Sequence, residues 1–334
     1  MANITKSDSF FVKEQEVVLF RISNSSGAYI EITNIGASIV SIIMPDKNGI
    51  LTNIVLHYND LKDYLTDSYY LGSTIGRFSN RISDARFYLN GKIYNLDKND
   101  GDNSNHGGFS GFNKKIFDYK VDQNNVTFYI ESLDGEGGFS GNLKLWITYT
   151  FTDENEVKIE YKAISDRETP VNFTNHTYFN LSGDKRRILE CLVKVNAEKY
   201  LETNDEFLPT GKILDTKNTA FDFRDYKKIK EMCLLKKDNL EGYNTYFIKN
   251  NSKDKILASL KDSTSGRILD VYSSMPGVLF YTGDFLSGKF ISFQGLCFEP
   301  QYYPDGMNHP HFETNILKPD EEKTDTIVYK FRNE

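Results

Sequence analysis

Two segments of the chain carry side chains suited to moving protons near neutral pH. In Phe173-Thr174-Asn175-His176-Thr177-Tyr178-Phe179, the polar residues Thr174, His176 and Tyr178 alternate with Asn175, Thr177 and Phe179. On a strand the first three project from one face. There they either build a satisfied polar network or line a site. An imidazole is the usual proton donor near neutral pH. Glu299 stands in Leu296-Cys297-Phe298-Glu299-Pro300-Gln301-Tyr302-Tyr303. A carboxylate inside an apolar strand end is costly unless paired. It either turns out to solvent, the commoner outcome, or stays among Phe298, Pro300, Tyr302 and Tyr303. Such surroundings raise a carboxylate's pKa and make it a better base.

Other polar residues are open to two readings. His106 precedes Gly107-Gly108. Glycines there let backbone and ligand approach closely, but a histidine before such a turn also serves simply as a turn residue. Arg77 and Arg81 lie in Gly76-Arg77-Phe78-Ser79-Asn80-Arg81-Ile82. They are either solvated or salt-bridged strand residues, or donors aimed at ligand oxygens. His57, after Ile54-Val55-Leu56, reads as structural or superficial. His309 and His311 flank Pro310 at a spacing that could touch a metal, yet no acidic or cysteine partner is placed to complete a zinc shell, so they read as a loop. There is no clustered ligand set and no glycine-rich phosphate loop ahead of a helix. No cofactor and no metal are expected.

The elements that must position these residues are strands. Leu143, Leu145, Ile147, Tyr149 and Phe151 share one face, and after Thr152–Glu156 the alternation resumes with Val157, Ile159, Tyr161 and Ala163. That is a hairpin with one wet and one dry face. A second hairpin turns at Asn124-Asn125. Further strands are expected at Val17–Ile22, Tyr29–Thr33, Ala37–Met44, Arg86–Leu89, Leu192–Val195, Thr245–Ile248, Arg267–Tyr272, Val278–Thr282 and Thr326–Phe331. Short helices fit Leu61–Tyr64 and Tyr226–Glu231. Asp97–Asn105 and Asn250–Asp254 read as loops. Many short strands between Gly, Asn and Asp turns predict an all-β protein, a large antiparallel β-sandwich, as one domain over residues 1–334.

Composition agrees. The 334 residues are 39% hydrophobic and 14% aromatic, and Phe and Tyr suit half-buried pleated surfaces. Forty basic against 47 acidic residues give a net charge of −7, which supplies no field for phosphates and argues against nucleic acid. Cys191, Cys233 and Cys297 are far apart and odd in number, so no disulfide framework is expected. The first twenty residues lack the apolar core of a signal peptide, and no apolar run approaches a membrane helix. The expectation is a cytoplasmic protein without membrane partners. Its oligomeric state is not legible.

Taken in order, the segments resemble the aldose 1-epimerase (galactose mutarotase) family. The resemblance rests on Gly76-Arg77-x-x-Asn80-Arg81-Ile82, then His106-Gly107-Gly108, then Asp134-Gly135-Glu136-x-Gly138-Phe139-x-Gly141. It continues through Asn175-His176-x-Tyr178-Phe179-Asn180-Leu181, Pro209-Thr210-Gly211 and Phe221-Asp222-Phe223-Arg224, and closes with Glu299-x-Gln301-x-x-Pro304-Asp305 and Asn308-x-Pro310. It implies a galactose-mutarotase-like β-sandwich with a sugar cleft across one sheet, and a free monosaccharide as partner. It implies Glu299 as general base and His176 as general acid. It also matches Asn80, Arg81 and His106 to sugar-contacting positions. Tyr178, Arg77 and Asn244 complete the expected sugar-binding set. Three positions depart from the family pattern: Asn244 where Asp-His usually follows Gly-Tyr, Leu279 where many members carry glutamine, and Asn105 where leucine is common. All fall on binding positions, so the sugar is less determined than the reaction. Two alternatives stand beside it: an epimerase of a related or phosphorylated sugar, and a non-catalytic sugar-binding protein.

Overall fold

The structure is a computed structural model that describes residues 3–183, 186–236, 240–250 and 255–334. Among these residues, three antiparallel sheets dominate. The largest runs in the order Asp118–Val121, Asn125–Ser132, Leu143–Phe151, Glu156–Ser165, Lys323–Asn333, Arg267–Ser273, Ala258–Lys261, Leu192–Val195, Lys227–Lys228. Its centre is the first expected hairpin, in register with Ile147 opposite Tyr161 and Leu145 opposite Ala163. The inward side chains of Leu143–Phe151 are all buried, while Lys144 on the other face is exposed.

A sheet of five strands, Asn3–Val12, Gln15–Ser23, Tyr29–Thr33, Ser38–Pro45 and Leu51–Asn53, contributes to the same core. So does a sheet in the order Tyr178–Phe179, Leu296–Gln301, Gly277–Tyr281, Asn244–Ile248, Lys199–Thr203, Pro209–Asp215. One continuous apolar cluster joins them. It includes Ile147, Tyr161 and Tyr329 from the large sheet, Phe20, Ile30 and Ile42 from the five-stranded one, and Phe247, Phe280 and Phe298 from the third. Each such side chain contributes on the order of 1.5–3 kcal/mol by leaving water.

The expected strands are present, most within a residue or two. Three features differ. Asn3–Val12 is an edge strand paired with Gln15–Ser23, and only Ile4, Phe10 and Val12 along it are even half-buried. A strand with so little dry face carries no period-two hydrophobic signal. The helix expected at Tyr226–Glu231 instead runs Ile229–Lys236 after a short strand. The segment around His176 is not one strand: Thr174–Asn175 and Tyr178–Phe179 are separate pairs in different sheets, with His176 between them. Residues 251–254 of the expected loop lie outside the described residues. Among the described residues no helix is long and apolar enough to cross a membrane.

Candidate active site

The third sheet has one face in the core and one lining a cleft, and strand alternation decides which residue goes where. Along Leu296–Gln301, Leu296 and Phe298 enter the main core, so Cys297, Glu299 and Gln301 take the opposite face. Across from them lie Tyr281 beside Cys297 and Leu279 beside Glu299. The next strand places Asn244 beside Tyr281. Leu279, Tyr281, Asn244 and Glu299 all line a cavity of about 260 Å³.

Two loop systems close it. His176 is clamped by main-chain bonds, its N–H donating to Ser73 O at 2.9 Å and its carbonyl accepting from Gly72 N–H at 3.0 Å. The flanking pairs Thr174–Ile75 and Tyr178–Cys297 fix the chain on either side. His106 is held against Asn80 twice: its N–H donates to Asn80 O at 3.2 Å, and its Nδ1 accepts from Asn80 N–H at 3.2 Å. The Gly-Gly after it is required by packing. His106, Gly107 and Gly108 all have positive φ, and a Cβ on Gly107 would lie 2.1 Å from Gly76 O. The close approach is therefore backbone to backbone. Tyr70 and Asn80, which also line the cleft, are left-handed too. Such conformations gather where the surrounding fold over-determines a functional site.

Inside the cleft, His176 Nε2 lies 3.6 Å from Glu299 Oε1. Neither Glu299 oxygen has a hydrogen-bond partner. The rings of Tyr178 and Tyr70 lie 5.0 and 5.7 Å from His176. Burial pushes the Glu299 carboxyl up to about 8 and pulls the His176 imidazole down to about 4. Burial, then the neighbouring charges of His176 and Arg81, hold His106 well below the usual histidine range. The pair His176–Glu299 thus carries one proton from about pH 4 to about pH 8. Arg81 lines the opening, its Nε donating to Asp100 Oδ2 at 2.7 Å and its guanidinium over the Phe207 ring.

His106, His176 and Glu299 bring ligand-type atoms within 4.8 Å of one another. A metal there would need the Nε2 lone pair of His106. Because Nδ1 accepts from Asn80 N–H, the neutral ring carries its proton on Nε2. The donor set therefore suits a neutral polar ligand better than a cation.

Of the expected site residues, Glu299, His176, Asn80, Arg81, His106, Tyr178 and Asn244 converge on this cavity. Arg77 does not. It is buried, with Nε donating to Ser132 Oγ and the other nitrogens to the carbonyls of Ser132, Leu133 and Ser140. It holds the Asp134–Gly141 loop in place, which accounts for that motif without any ligand. Asp305 is likewise structural, accepting Ser83 N–H at 3.0 Å and donating its own N–H to Arg81 O. Part of the bulk expected around Glu299 lies elsewhere: Phe298 and Tyr302 belong to the main core, while Leu279 stands beside Glu299 on the next strand and packs with Tyr303. His309 does have an acidic neighbour, Asp305 at 3.5 Å, while His311 Nε2 is spent on Gly211 O at 2.8 Å. His57 is exposed beside Asn53. Tyr70, Tyr281 and Cys297 were not expected at the site. Period-two counting from Glu299 and Leu279 finds Cys297 and Tyr281. No sequence signal marks Tyr70, which sits on a loop.

The aldose 1-epimerase family profile matches residues 18–330. The chain is 39% identical to the galactose mutarotase of Mus musculus over 312 residues, 90% of each protein. A crystal structure of an aldose epimerase homologue from C. elegans superposes with a TM-score of 0.90 at 28% identity, covering 98% of this chain and 99% of that one. Galactose 1-epimerase from Lactobacillus acidophilus superposes with a TM-score of 0.87 at 28% identity, covering 100% and 99%. With the fold, the cleft and the ordered motifs in agreement with these matches, this chain belongs to the aldose 1-epimerase family.

Proposed function

We propose that the cleft interconverts the α and β anomers of free aldoses such as galactose or glucose. The observation that carries this reading is the buried Glu299–His176 pair, 3.6 Å apart and holding one proton between them. Mutarotation needs that inventory. The anomeric hydroxyl must lose a proton while the ring oxygen gains one. The ring then opens, the carbonyl end rotates, and the reverse steps close it on the other face. With the shared proton on His176 Nε2, Glu299 is the base and the imidazolium the acid. At 3.6 Å the two groups stand just outside hydrogen-bond reach, so a shift of about 0.4 Å or more brings them to proton-transfer distance, and the attraction of the resulting ion pair offsets part of its burial cost.

His106 takes a different role. Its Nδ1 faces a fixed donor, so it cannot become an imidazolium without losing that bond. It offers Nε2–H to a sugar oxygen and does not cycle. Arg81, Asn80, Asn244 and Tyr178 supply further polar contacts. Leu279 beside Glu299 adds desolvation and no hydrogen bond, so the hydroxyl set read here is narrower than with a polar side chain. Polarimetry of freshly dissolved α-galactose and α-glucose tests the reading. Rotation should reach its equilibrium value faster with protein, in proportion to its concentration. Rates equal to buffer for every aldose tried would overturn it.

A further inference from the structure

Cys297 plays no part in the chemistry described so far, yet its Sγ lies 3.5 Å from His176 Nδ1. Both residues are buried. The contact is set by the fold: Cys297 is two residues before Glu299 on the same strand face, and the pair Tyr178–Cys297 docks the His176 loop on that strand. One side of the imidazole therefore faces sulfur and the other faces the carboxyl.

The two histidines of the cleft then meet opposite surroundings. At His106 a main-chain N–H points at Nδ1 and fixes the proton on Nε2. At His176 the Nδ1 side faces the Cys297 sulfur, which can accept a hydrogen bond weakly or donate its own S–H weakly, according to the ring tautomer. The residue's own carbonyl draws the ring pKa upward, against the larger effect of burial. On the far side, Glu299 needs an acceptor for the proton it holds at neutral pH, and the nearest ring atom is Nε2.

We infer that Cys297 is a positioning residue whose sulfur accepts a hydrogen bond from His176 Nδ1–H, so that the neutral ring presents its Nε2 lone pair to Glu299 and the substrate. This rests on the proposed acid–base reading of the pair and adds the group that sets the tautomer. The balance is simple. Nε2 takes a proton from Glu299 to form the imidazolium, gives it to the sugar ring oxygen, and returns to the neutral Nδ1–H tautomer. The opposite tautomer has a proton already on Nε2 and could donate it only by leaving an imidazolate. Nδ1–H stays bonded to sulfur throughout, so no bond to the support breaks during turnover.

The test is ¹⁵N NMR of the histidine-labelled full-length protein at neutral pH. His176 should show a protonated Nδ1 and an unprotonated Nε2. His106 should show the reverse and serves as the internal comparison. In Cys297→Ala the His176 preference should weaken, and kcat should fall roughly fivefold with KM unchanged, the loss set by one net hydrogen bond. Cys297→Ser, which keeps an acceptor, should restore both. A wild-type His176 carrying its proton on Nε2 overturns the inference without any variant, as does a folded Cys297→Ala with wild-type tautomer and kcat. If His176 shows the expected tautomer but His176→Asn and Glu299→Gln keep full turnover, the acid–base reading fails and the tautomer assignment stands.

Discussion

Replacing Glu299 by Gln should make the protein more stable at alkaline pH while removing its activity. The carboxyl is fully buried and neither oxygen has a hydrogen-bond partner. Burial raises its pKa from 4.5 to about 8. Between those two pH values the unfolded chain has lost this proton and the folded chain keeps it. A raised carboxyl pKa of this kind contributes stability that is fully present below pH 4.5 and is lost as pH rises through about 8. The slope is ~1.4 kcal/mol per pH unit, on the order of 5 kcal/mol across the whole window from 4.5 to about 8. His176 works in the opposite direction, since its pKa falls from 6.5 to about 4 and its contribution grows as pH rises between them. The two largely cancel up to pH 6.5, so wild-type stability should fall mainly above it. Glutamine has the same shape and no charge. Its buried amide costs ~1–3 kcal/mol at every pH, an offset that does not change the slope. The difference between Glu299→Gln and wild type should therefore shift in the variant's favour by on the order of 5 kcal/mol from the acid to the alkaline end of that window. Urea unfolding midpoints measured for both proteins at pH 5 and near pH 9, around the limits set by the cited pKa values, read this directly. Parallel pH dependences would refute the claim that Glu299 bears the burial penalty. Turnover of the same variant should drop on the order of 10²-fold or more.

The pH profile of turnover should be bell-shaped, with limbs near 4 and 8 belonging to the Glu299–His176 pair. Below the first limb the base is protonated, and above the second the pair has lost its only proton. An unchanged rate well above pH 8 would contradict this. Arg77→Ala should lower stability by on the order of 2–4 kcal/mol, because the buried carbonyls of Ser132 and Ser140 and the part-buried carbonyl of Leu133 lose their donor. Its KM should not change, and a raised KM at an unchanged unfolding midpoint would return Arg77 to the binding site. Asn244→Asp should lower KM for galactose or glucose by ~1 kcal/mol, since hydrogen bonds to charged groups exceed neutral ones by about that much. An alkaline shift of the profile at constant KM would show that the new carboxylate acts on Glu299 instead.

Much of this architecture is legible in the sequence because strands with one wet and one dry face write their orientation in alternation. Leu143–Phe151 and Glu156–Ser165 are cases where pattern and burial coincide. The edge strand Asn3–Val12 has almost no dry face to encode. At the site, alternation places Glu299 on a face opposite Phe298, but it cannot say that the face is covered by the His176 loop. That loop is held by main-chain bonds to Gly72 and Ser73, which leave no mark in residue types. Arg77 misleads for a related reason. An arginine donating to carbonyls and an arginine donating to a sugar present the same residue in the same motif, and only the partners separate them. Tyr70 reaches the cleft through a left-handed turn that no periodicity predicts.

Exchange NMR on an equilibrated mixture of galactose anomers tests the central claim most directly, because it reads interconversion with no net reaction. Wild-type protein should produce cross-peaks between the α and β anomeric protons at rates far above buffer. Folded Glu299→Gln and His176→Asn should lose them while still broadening the sugar signals on binding. Cross-peaks of wild-type intensity in either folded variant would contradict the account of Glu299 and His176 as the proton-transferring pair.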